Sequence, residues 1–336
     1  MNFLRKIGAE PFVMMIGVAI FLAWLNPSAG AAQVLGINLG DVATWGVAGI
    51  FLFYGMRLDR KKLSAGLSNI RLHVLIHCAT FIMFPLIVLA AMYACGAFEA
   101  RGDLRYLWLG TFFLATLPST VSSSVVMVSI AGGNMPAAIF NASISSLMGV
   151  FITPVWMSLF LDNVEGSHGL GEVILKLVVQ VIVPVIAGLL LNPKFGKFAQ
   201  DHRKVLRNFD QSVILLIIYT SFCESFLKKM FSGFPLGDLI VLAGCMVGLF
   251  ITAMLIVYGL CRIMGFDRDD TVTAVFCGSK KSLVHGSVMS RVLFSNPAVI
   301  GVVLLPTMLY HAFQLILISV IARKAGAAKE AAEKIK

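Results

Sequence analysis

The chain has 336 residues, of which 58% are hydrophobic and only 13% are charged, and its formal net charge is +10. Soluble domains carry about 25% charged residues, so this composition excludes an ordinary cytosolic enzyme, a disordered protein and a disulfide scaffold. We therefore expect an all-α polytopic membrane protein.

Long stretches without Asp, Glu, Lys or Arg carry this interpretation, and the longest covers residues 106–161. One helix needs about 20 residues to cross a bilayer, so that stretch must hold two spans, with a turn at Gly132-Gly133-Asn134. In chain order, we expect ten spans: 11–26, 41–57, 73–95, 106–131, 136–161, 171–192, 209–230, 236–262, 271–292 and 297–322.

The basic residues indicate the orientation of these spans. Most Lys and Arg residues lie in 5–6, 57–71, 194–207 and 323–336, which fall on one side of a ten-span topology. By the positive-inside rule this side is the cytoplasm, so we expect both termini there, in a plasma (inner) membrane. Anionic lipid headgroups account for the net charge, and no nucleic acid needs to be invoked. The oligomeric state is left open.

An internal repeat divides the chain. Pro136 opens the fifth span and Pro297 the tenth, 161 positions later. Five spans in each half force the second copy to run in the opposite sense, and inverted repeats are typical of secondary transporters. We expect a first repeat over 1–165, a second inverted repeat over 166–325 and a cytoplasmic tail over 326–336. The alternative is a chance resemblance between the halves.

The fourth and ninth spans are expected to be broken. Residues 117–124 place Pro118 and five hydroxyl groups in the middle of the fourth span, and the ninth carries Gly278 just before Lys280 and Lys281. Proline removes a backbone donor and glycine tolerates an unwound backbone. Such backbone survives at membrane depth only where protein or water covers it. The alternative is a kinked packing helix whose hydroxyls bond back to the preceding turn.

These breaks suggest a binding site for a small organic anion, because half-helix N-termini carry partial positive charge. Its expected polar lining is Ser122, Ser123, Ser124, Asn141 and Ser145, with Lys280, Lys281 and Ser282 opposite. Glu224 either lines the cavity or pairs with Lys228 at the membrane boundary. His285 and His311 either relay protons or are hydrogen-bonded core residues.

At these residues the chain resembles the bile acid:sodium symporter superfamily, and within it a bacterial branch that is similar to the seventh member of the vertebrate sodium/bile acid cotransporter family. The resemblance spans the chain to about Arg323. It implies a core and a panel domain that each draw helices from both repeats, with the fourth and ninth helices crossing in the core, and transport by alternating access. The pieces that carry it are Pro118 to Ser123, Gly132 to Asn134, Phe276 to Leu283, Tyr310-His311 and Gln314-Leu315.

The same resemblance implies a changed ion site. The Ser and Asn sodium ligands of sodium-coupled members correspond to Ser123 and Ser124, and a Gln ligand to Thr80. Their ligand Glu becomes Phe276 and a second ligand Gln becomes Lys280. We expect Lys280 either to replace one sodium ion, with Thr80, Ser123 and Ser124 as its neighbours, or to bind an anionic substrate. Because desolvation favours the neutral amine, Lys280 can also release a proton during the cycle.

We therefore expect a symporter-like secondary transporter without a cofactor, with no metal site assigned and a sodium site altered at Phe276 and Lys280. Its coupling ion is either a proton, which this alteration favours, or sodium. Two alternatives stay open. One is a non-transporting regulator of ion homeostasis with a transporter fold. The other is an intramembrane hydrolase that pairs Ser282 with Lys280, or a serine with His285, although no Gly-x-Ser-x-Gly sequence surrounds these serines. No Walker sequence indicates ATP-driven transport.

The topology is testable with tags at the N-terminus, within 59–71 and after Lys324. We expect all three to be reachable only from the cytoplasm, because these segments carry much of the basic charge. The measurement is antibody labelling of intact and permeabilised cells. Labelling of any one tag on intact cells would exclude the ten-span arrangement.

Overall fold

The computed structural model describes residues 11–31, 33–34, 37–58, 69–100, 102–161, 170–231, 235–294 and 296–333. Most of the expected basic segment at 59–71 therefore lies outside the described residues, as do 1–10 and 334–336.

The described chain is helical apart from a small antiparallel hairpin, in which Gln33–Val34 (β1) pairs with Ile37–Asn38 (β2). The expectation of an all-α protein is confirmed in this sense. The helices are α1 (Pro11–Leu25), α2 (Leu39–Arg57), α3 (Ile70–Ala94), α4a (Asp103–Thr116), α4b (Ser122–Ala131), α5 (Met135–Leu161), α6 (170–201), α7 (Arg203–Leu227), α8 (Leu236–Ile263), α9a (Arg268–Gly278), α9b (Leu283–Leu293) and α10 (Pro297–Glu333), with short 3-10 helices at Pro27–Ala31 and Ala97–Glu99.

Seven of the described helices are long and apolar enough to cross a membrane, namely α2, α3, α5, α6, α7, α8 and α10. The protein is therefore an integral membrane protein. The other three expected spans differ for simple reasons. Helix α1 has only 15 residues, and the fourth and ninth spans are each divided into two half-helices that are too short to cross alone.

Both expected breaks are confirmed. The fourth span stops at Thr116 and resumes at Ser122, around Pro118, and the ninth stops at Gly278 and resumes at Leu283. Proline ends α4a because it has no N–H and its ring crowds the preceding turn. The second half of the ninth span restarts with a side-chain cap, since the Ser282 hydroxyl accepts a hydrogen bond from the backbone N–H of His285.

Helix α10 organises the packing. It contacts α4a, α4b, α7, α8 and α9b, and so lies against both broken helices. Its last turns, residues 326–333, continue the helix rather than forming a separate tail. The Lys329 ammonium donates to the Gly132 carbonyl and to the Asp269 carboxylate, both at 2.8 Å. The C-terminal end of α10 is thereby fixed to the end of α4b and the start of α9a.

Helices α2 and α6 touch through their backbones. A Cβ atom on Gly188 would lie 2.1 Å from the Leu52 carbonyl oxygen, and one on Gly55 would lie 2.2 Å from the Val185 carbonyl oxygen. No side chain can move aside there, because the obstructing atoms belong to the main chain. Glycine is therefore required at both positions for the two helices to approach this closely.

We expect Gly188→Ala to destabilise the fold, since overpacking typically costs about 1–3 kcal/mol. Gly244→Ala in α8 is the matched control, because nothing lies within 4 Å of the added Cβ atom and alanine is the better helix former by about 0.5–1 kcal/mol. Thermal unfolding of the purified proteins in detergent measures both. A Tm for Gly188→Ala at or above that of Gly244→Ala would contradict the contact.

Candidate functional site

The two breaks meet in the interior of the protein. The backbone N–H of Ser282 donates to the Pro118 carbonyl at 2.9 Å, and the Ser119 hydroxyl donates to the Cys277 carbonyl at 2.7 Å. We call residues 117–121 together with 279–282 the crossing. Here each broken helix supplies hydrogen-bond partners for groups that the other one leaves unpaired.

The end of α4a leaves main-chain carbonyl groups without helical donors. The carbonyls of Ala115 and Leu117 accept hydrogen bonds from the Lys281 ammonium at 2.7 and 2.9 Å. Between them, the Thr116 carbonyl accepts from the Thr153 hydroxyl at 2.8 Å. The backbone groups that the break exposes are therefore paired by side chains from other helices, as buried polar groups require.

Helix α3 supplies a third carbonyl by another route. Residues Ala79–Met83 form a π-helical turn, directly before Pro85, which has no N–H to offer to the preceding turns. The carbonyl of Thr80 accepts from the Lys281 ammonium at 2.7 Å, and that of Phe81 from the Trp156 indole N–H at 2.8 Å.

The Lys281 ammonium is thus held by three carbonyl oxygens, one for each of its three N–H donors. The side chain is completely buried. The Phe84 ring lies beside the ammonium, 4.2 Å from Nζ to the ring centroid, which adds a cation–π contact. In the part of the chain that the structure describes, this charge forms no ion pair with a carboxylate. It is a cation solvated by backbone dipoles.

Lys280 is also completely buried, but it contacts a different surface. Its ammonium donates to the Ser123 hydroxyl at 3.3 Å. Ser123 in turn pairs with the Thr120 hydroxyl at 2.8 Å, and Thr120 with the Ser124 hydroxyl at 3.1 Å. A row of hydroxyls at the start of α4b therefore lies beside the second lysine.

Helix α10 fixes the unwound backbone of the ninth span. The Gln314 amide accepts from the backbone N–H of Lys281 at 2.9 Å and donates to its carbonyl at 2.8 Å, while the Tyr310 hydroxyl donates to the Ser279 carbonyl at 2.6 Å. The Gln314 amide nitrogen also lies 2.8 Å from Nδ1 of His311. Because an amide NH₂ only donates, Nδ1 accepts this bond, and His311 carries no proton there.

His285 lies just beyond the crossing and faces helix α2. Its Nδ1 pairs with the Ser282 hydroxyl at 2.9 Å, and its ring meets the Phe51 ring edge-to-face, with centroids 5.6 Å apart. The other ring nitrogen, Nε2, is buried without a partner among the described residues.

The remaining expected site residues are only partly gathered at the crossing. Ser145 reaches it, because its hydroxyl accepts from the backbone N–H of Ser119 at 3.0 Å. Asn141 bonds instead to the Ala137 carbonyl and to Nδ1 of His73, at 2.8 and 2.9 Å. The Thr80 hydroxyl bonds within its own helix, to the Ile76 carbonyl, so only the main chain of Thr80 reaches a lysine.

Glu224 lies in the last turn of α7, where it is partly buried. Within the described residues it makes no ion pair with Lys228, whose side chain is exposed. Phe276 is buried and offers no oxygen where the resemblance implies an acidic ligand. The side chain of Ser122 lies outside what the structure describes.

Sequence reasoning overlooked several participants. It assigned the expected contacts with carbonyls and hydroxyls to Lys280. The Ser123 hydroxyl does contact Lys280, but the carbonyls of Thr80, Ala115 and Leu117 bond to Lys281. It also passed over Tyr310 and Trp156 as hydrogen-bond donors. A usable signal exists for the carbonyls, because a proline inside a span releases acceptors that a nearby donor must satisfy.

Known proteins resemble the whole chain, including the crossing. Over residues 10–327 the sequence matches the SBF-like CPA transporter family. It is 37% identical over 316 residues to an uncharacterized protein of Pseudomonas aeruginosa, PA2026, which covers 94% of this chain and 92% of that protein. YfeH of Escherichia coli (strain K12), whose name describes a symporter, is 35% identical over 317 residues, with 94% and 92% covered. Sodium/bile acid cotransporter 7 of Rattus norvegicus is 29% identical over 329 residues, with 96% and 94% covered.

We expect Gln314→Leu to destabilise the protein strongly, because it leaves the buried N–H and C=O of Lys281 without partners, at about 1–3 kcal/mol for each group. Thr111→Val is the control, since that buried hydroxyl bonds to the Leu107 carbonyl of its own helix, at 2.9 Å. Thermal unfolding compares the two variants. Equal Tm values would contradict the role assigned to Gln314.

Proposed function

Since the chain belongs to the SBF-like CPA transporter family, we propose that it moves a small organic anion across the membrane by alternating access, with protons rather than sodium ions as the coupling ion. Its family and its relatives are transporters and not enzymes. The solute, its charge, the coupling ion and the alternation are our proposal.

The observation that carries the proposal is the pair of buried lysines at the crossing of two interrupted helices. Lys281 is fully engaged by carbonyls. Lys280, next to Ser123 at the N-terminal end of α4b, supplies the charge that selects the solute. A helix N-terminus adds partial positive charge at the same place. A buried cation, hydroxyl donors and a helix N-terminus together favour a carboxylate or another anion.

We propose ten membrane helices, α1 to α10, arranged as two inverted five-helix repeats. Supporting this, the interrupted helices are the fourth and the ninth, which are equivalent positions in the two halves, and Pro136 and Pro297 stand at the start of α5 and α10. In such transporters the site lies where the broken helices meet, and one helix group moves against the other around it.

The moving groups that we propose are α1, α2, α6 and α7 on one side and the remaining helices on the other. Polar contacts between the described residues of the two groups include the one from the Ser225 hydroxyl of α7 to the Ala298 carbonyl of α10. At one end Arg291 of α9b donates to the Gly40 carbonyl at 3.1 Å and to the Thr220 hydroxyl. At another place the Tyr54 hydroxyl of α2 donates to the Ser143 carbonyl of α5 at 3.3 Å. Such contacts can break and re-form as access alternates.

Proton coupling follows from the role given to Lys280. The protonated lysine binds the anion, and release of its proton removes the attraction, so solute and proton move together. No carboxylate occupies position 276, where the resemblance implies an acidic sodium ligand. We therefore expect transport to need no sodium and to fall as the pH rises.

The test is solute counterflow in proteoliposomes in sodium-free buffer across about pH 5.5 to 8.5, with solutes first chosen by a thermal-shift screen of organic anions. We expect Lys280→Gln to reduce counterflow at least tenfold and to flatten its pH profile. Lys197→Gln, which removes the same charge from the exposed end of α6, should behave as wild type.

Glu224→Gln is a second arm of the same assay. If Glu224 lines the solute path, this variant keeps its expression but changes the rate or the pH dependence of counterflow. Strict sodium dependence of the wild type would overturn proton coupling. Counterflow that is equal in Lys280→Gln and Lys197→Gln would overturn the anion site.

A further inference from the structure

We propose that the Lys281 ammonium is a built-in monovalent cation, which takes the place that a bound alkali-metal ion would occupy in the crossing. The protein then assembles its broken helices without any ion. This inference deepens the proposed function, and its consequence for coupling rests on that function. The geometry that supports the inference is independent of the proposed function.

The ligand set is that of a dehydrated metal ion. Three main-chain carbonyl oxygens, from Thr80, Ala115 and Leu117, converge on one positive charge at 2.7–2.9 Å. Rings of backbone carbonyls are what proteins use to replace the hydration shell of a monovalent cation. Unwound carbonyls in broken transmembrane helices coordinate ions in the same way. An ammonium group also needs oxygen acceptors around its positive charge, and its three N–H bonds fix the directions in which those acceptors must lie.

Among the described residues, the usual helical donors of these oxygens are either engaged elsewhere or missing. The Ser119 N–H, which would continue the helix to Ala115, donates to the Ser145 hydroxyl instead. Pro85 can offer no N–H to the Thr80 carbonyl, and α4a has already ended before Leu117. Without a cation, three buried carbonyls from two helices would face one another unpaired. The positive charge is therefore what allows α3, α4a and the ninth span to meet.

The backbone of Lys281 is fixed by hydrogen bonds, as its ammonium group is. Gln314 bonds both the N–H and the C=O of Lys281, so the backbone from which the side chain extends is fixed on α10. The Phe84 ring covers the ammonium at 4.2 Å. Lys280, one residue earlier, contacts the Ser123 hydroxyl. The two lysines thus have separate tasks: Lys281 holds the helices together, and Lys280 remains for solute and proton.

The experiment begins with the wild-type protein in detergent. We measure binding of ²²Na⁺ by scintillation proximity, and thermal unfolding in the chlorides of sodium, potassium, ammonium and N-methyl-D-glucamine at equal ionic strength. We expect no saturable sodium binding and the same Tm in all four salts, because the site already contains its cation. Saturable binding that unlabelled sodium displaces would overturn the inference.

Lys281→Ala should convert the built-in cation into a dissociable one. We expect a lower Tm in N-methyl-D-glucamine chloride, and recovery in sodium or ammonium chloride by about 2 °C for a cation at ten times its Kd. Lys281→Met, which fills the space of the stem with an apolar side chain, should be destabilised and should not recover. Lys280→Ala should show no dependence on the cation.

Two results with a folded Lys281→Ala variant would overturn the inference: a wild-type Tm in every salt, or a lowered Tm that no cation raises. If Lys281→Ala does not fold in any salt, the wild-type binding measurement decides alone. None of these measurements needs solute transport. A chain that never transports a solute would refute the proposed function and leave this inference standing.

Discussion

The structure depends on one constraint: a helix that stops inside a membrane must find partners for the carbonyls at its end. Water is absent there, and each unsatisfied group costs several kcal/mol. In this protein a lysine, a threonine and a tryptophan supply the donors, through Lys281, Thr153 and Trp156. Each comes from a different part of the chain than the carbonyl that it satisfies. The breaks therefore do not loosen the fold but join α3, α4a, α5 and the ninth span.

This constraint also explains how two buried lysines are tolerated. A charge at membrane depth is expensive unless it faces polar groups within the protein. The Lys281 ammonium uses all three of its N–H donors on carbonyls. The same hydrogen bonds therefore offset both the cost of burying the charge and the cost of burying the carbonyl groups. Removal of either partner exposes the full cost of the other. This mutual dependence is why charge-neutral replacements at position 281 test the site more sharply than replacements of the surrounding hydroxyls.

Hydropathy was enough to locate the apolar helices. The proline and glycine positions were enough to locate both breaks, because Pro118 and Gly278 act on the local backbone. The partners of the broken ends could not be read in this way. The choice between Lys280 and Lys281 depends on which of two adjacent side chains in a non-helical segment faces α3, and no periodicity describes such a segment. Thr80 shows the same limit. Its position near a lysine was anticipated from the resemblance, but its hydroxyl bonds within α3 and its carbonyl makes the contact.

A fixed cation changes what the second lysine can do. If a metal ion bound and left during each cycle, the crossing would loosen and re-form with it, and the ion would drive solute movement. With Lys281 tethered through Gln314, the crossing keeps one positive charge and one geometry throughout. In the proposed cycle, Lys280, beside the hydroxyls at the start of α4b, is the group that changes its charge. Under the proposed function, alternating access would come from movement around this crossing, at contacts such as those of Arg291, Tyr54 and Ser225. In that proposal, the proton on Lys280 decides whether an anion moves with it.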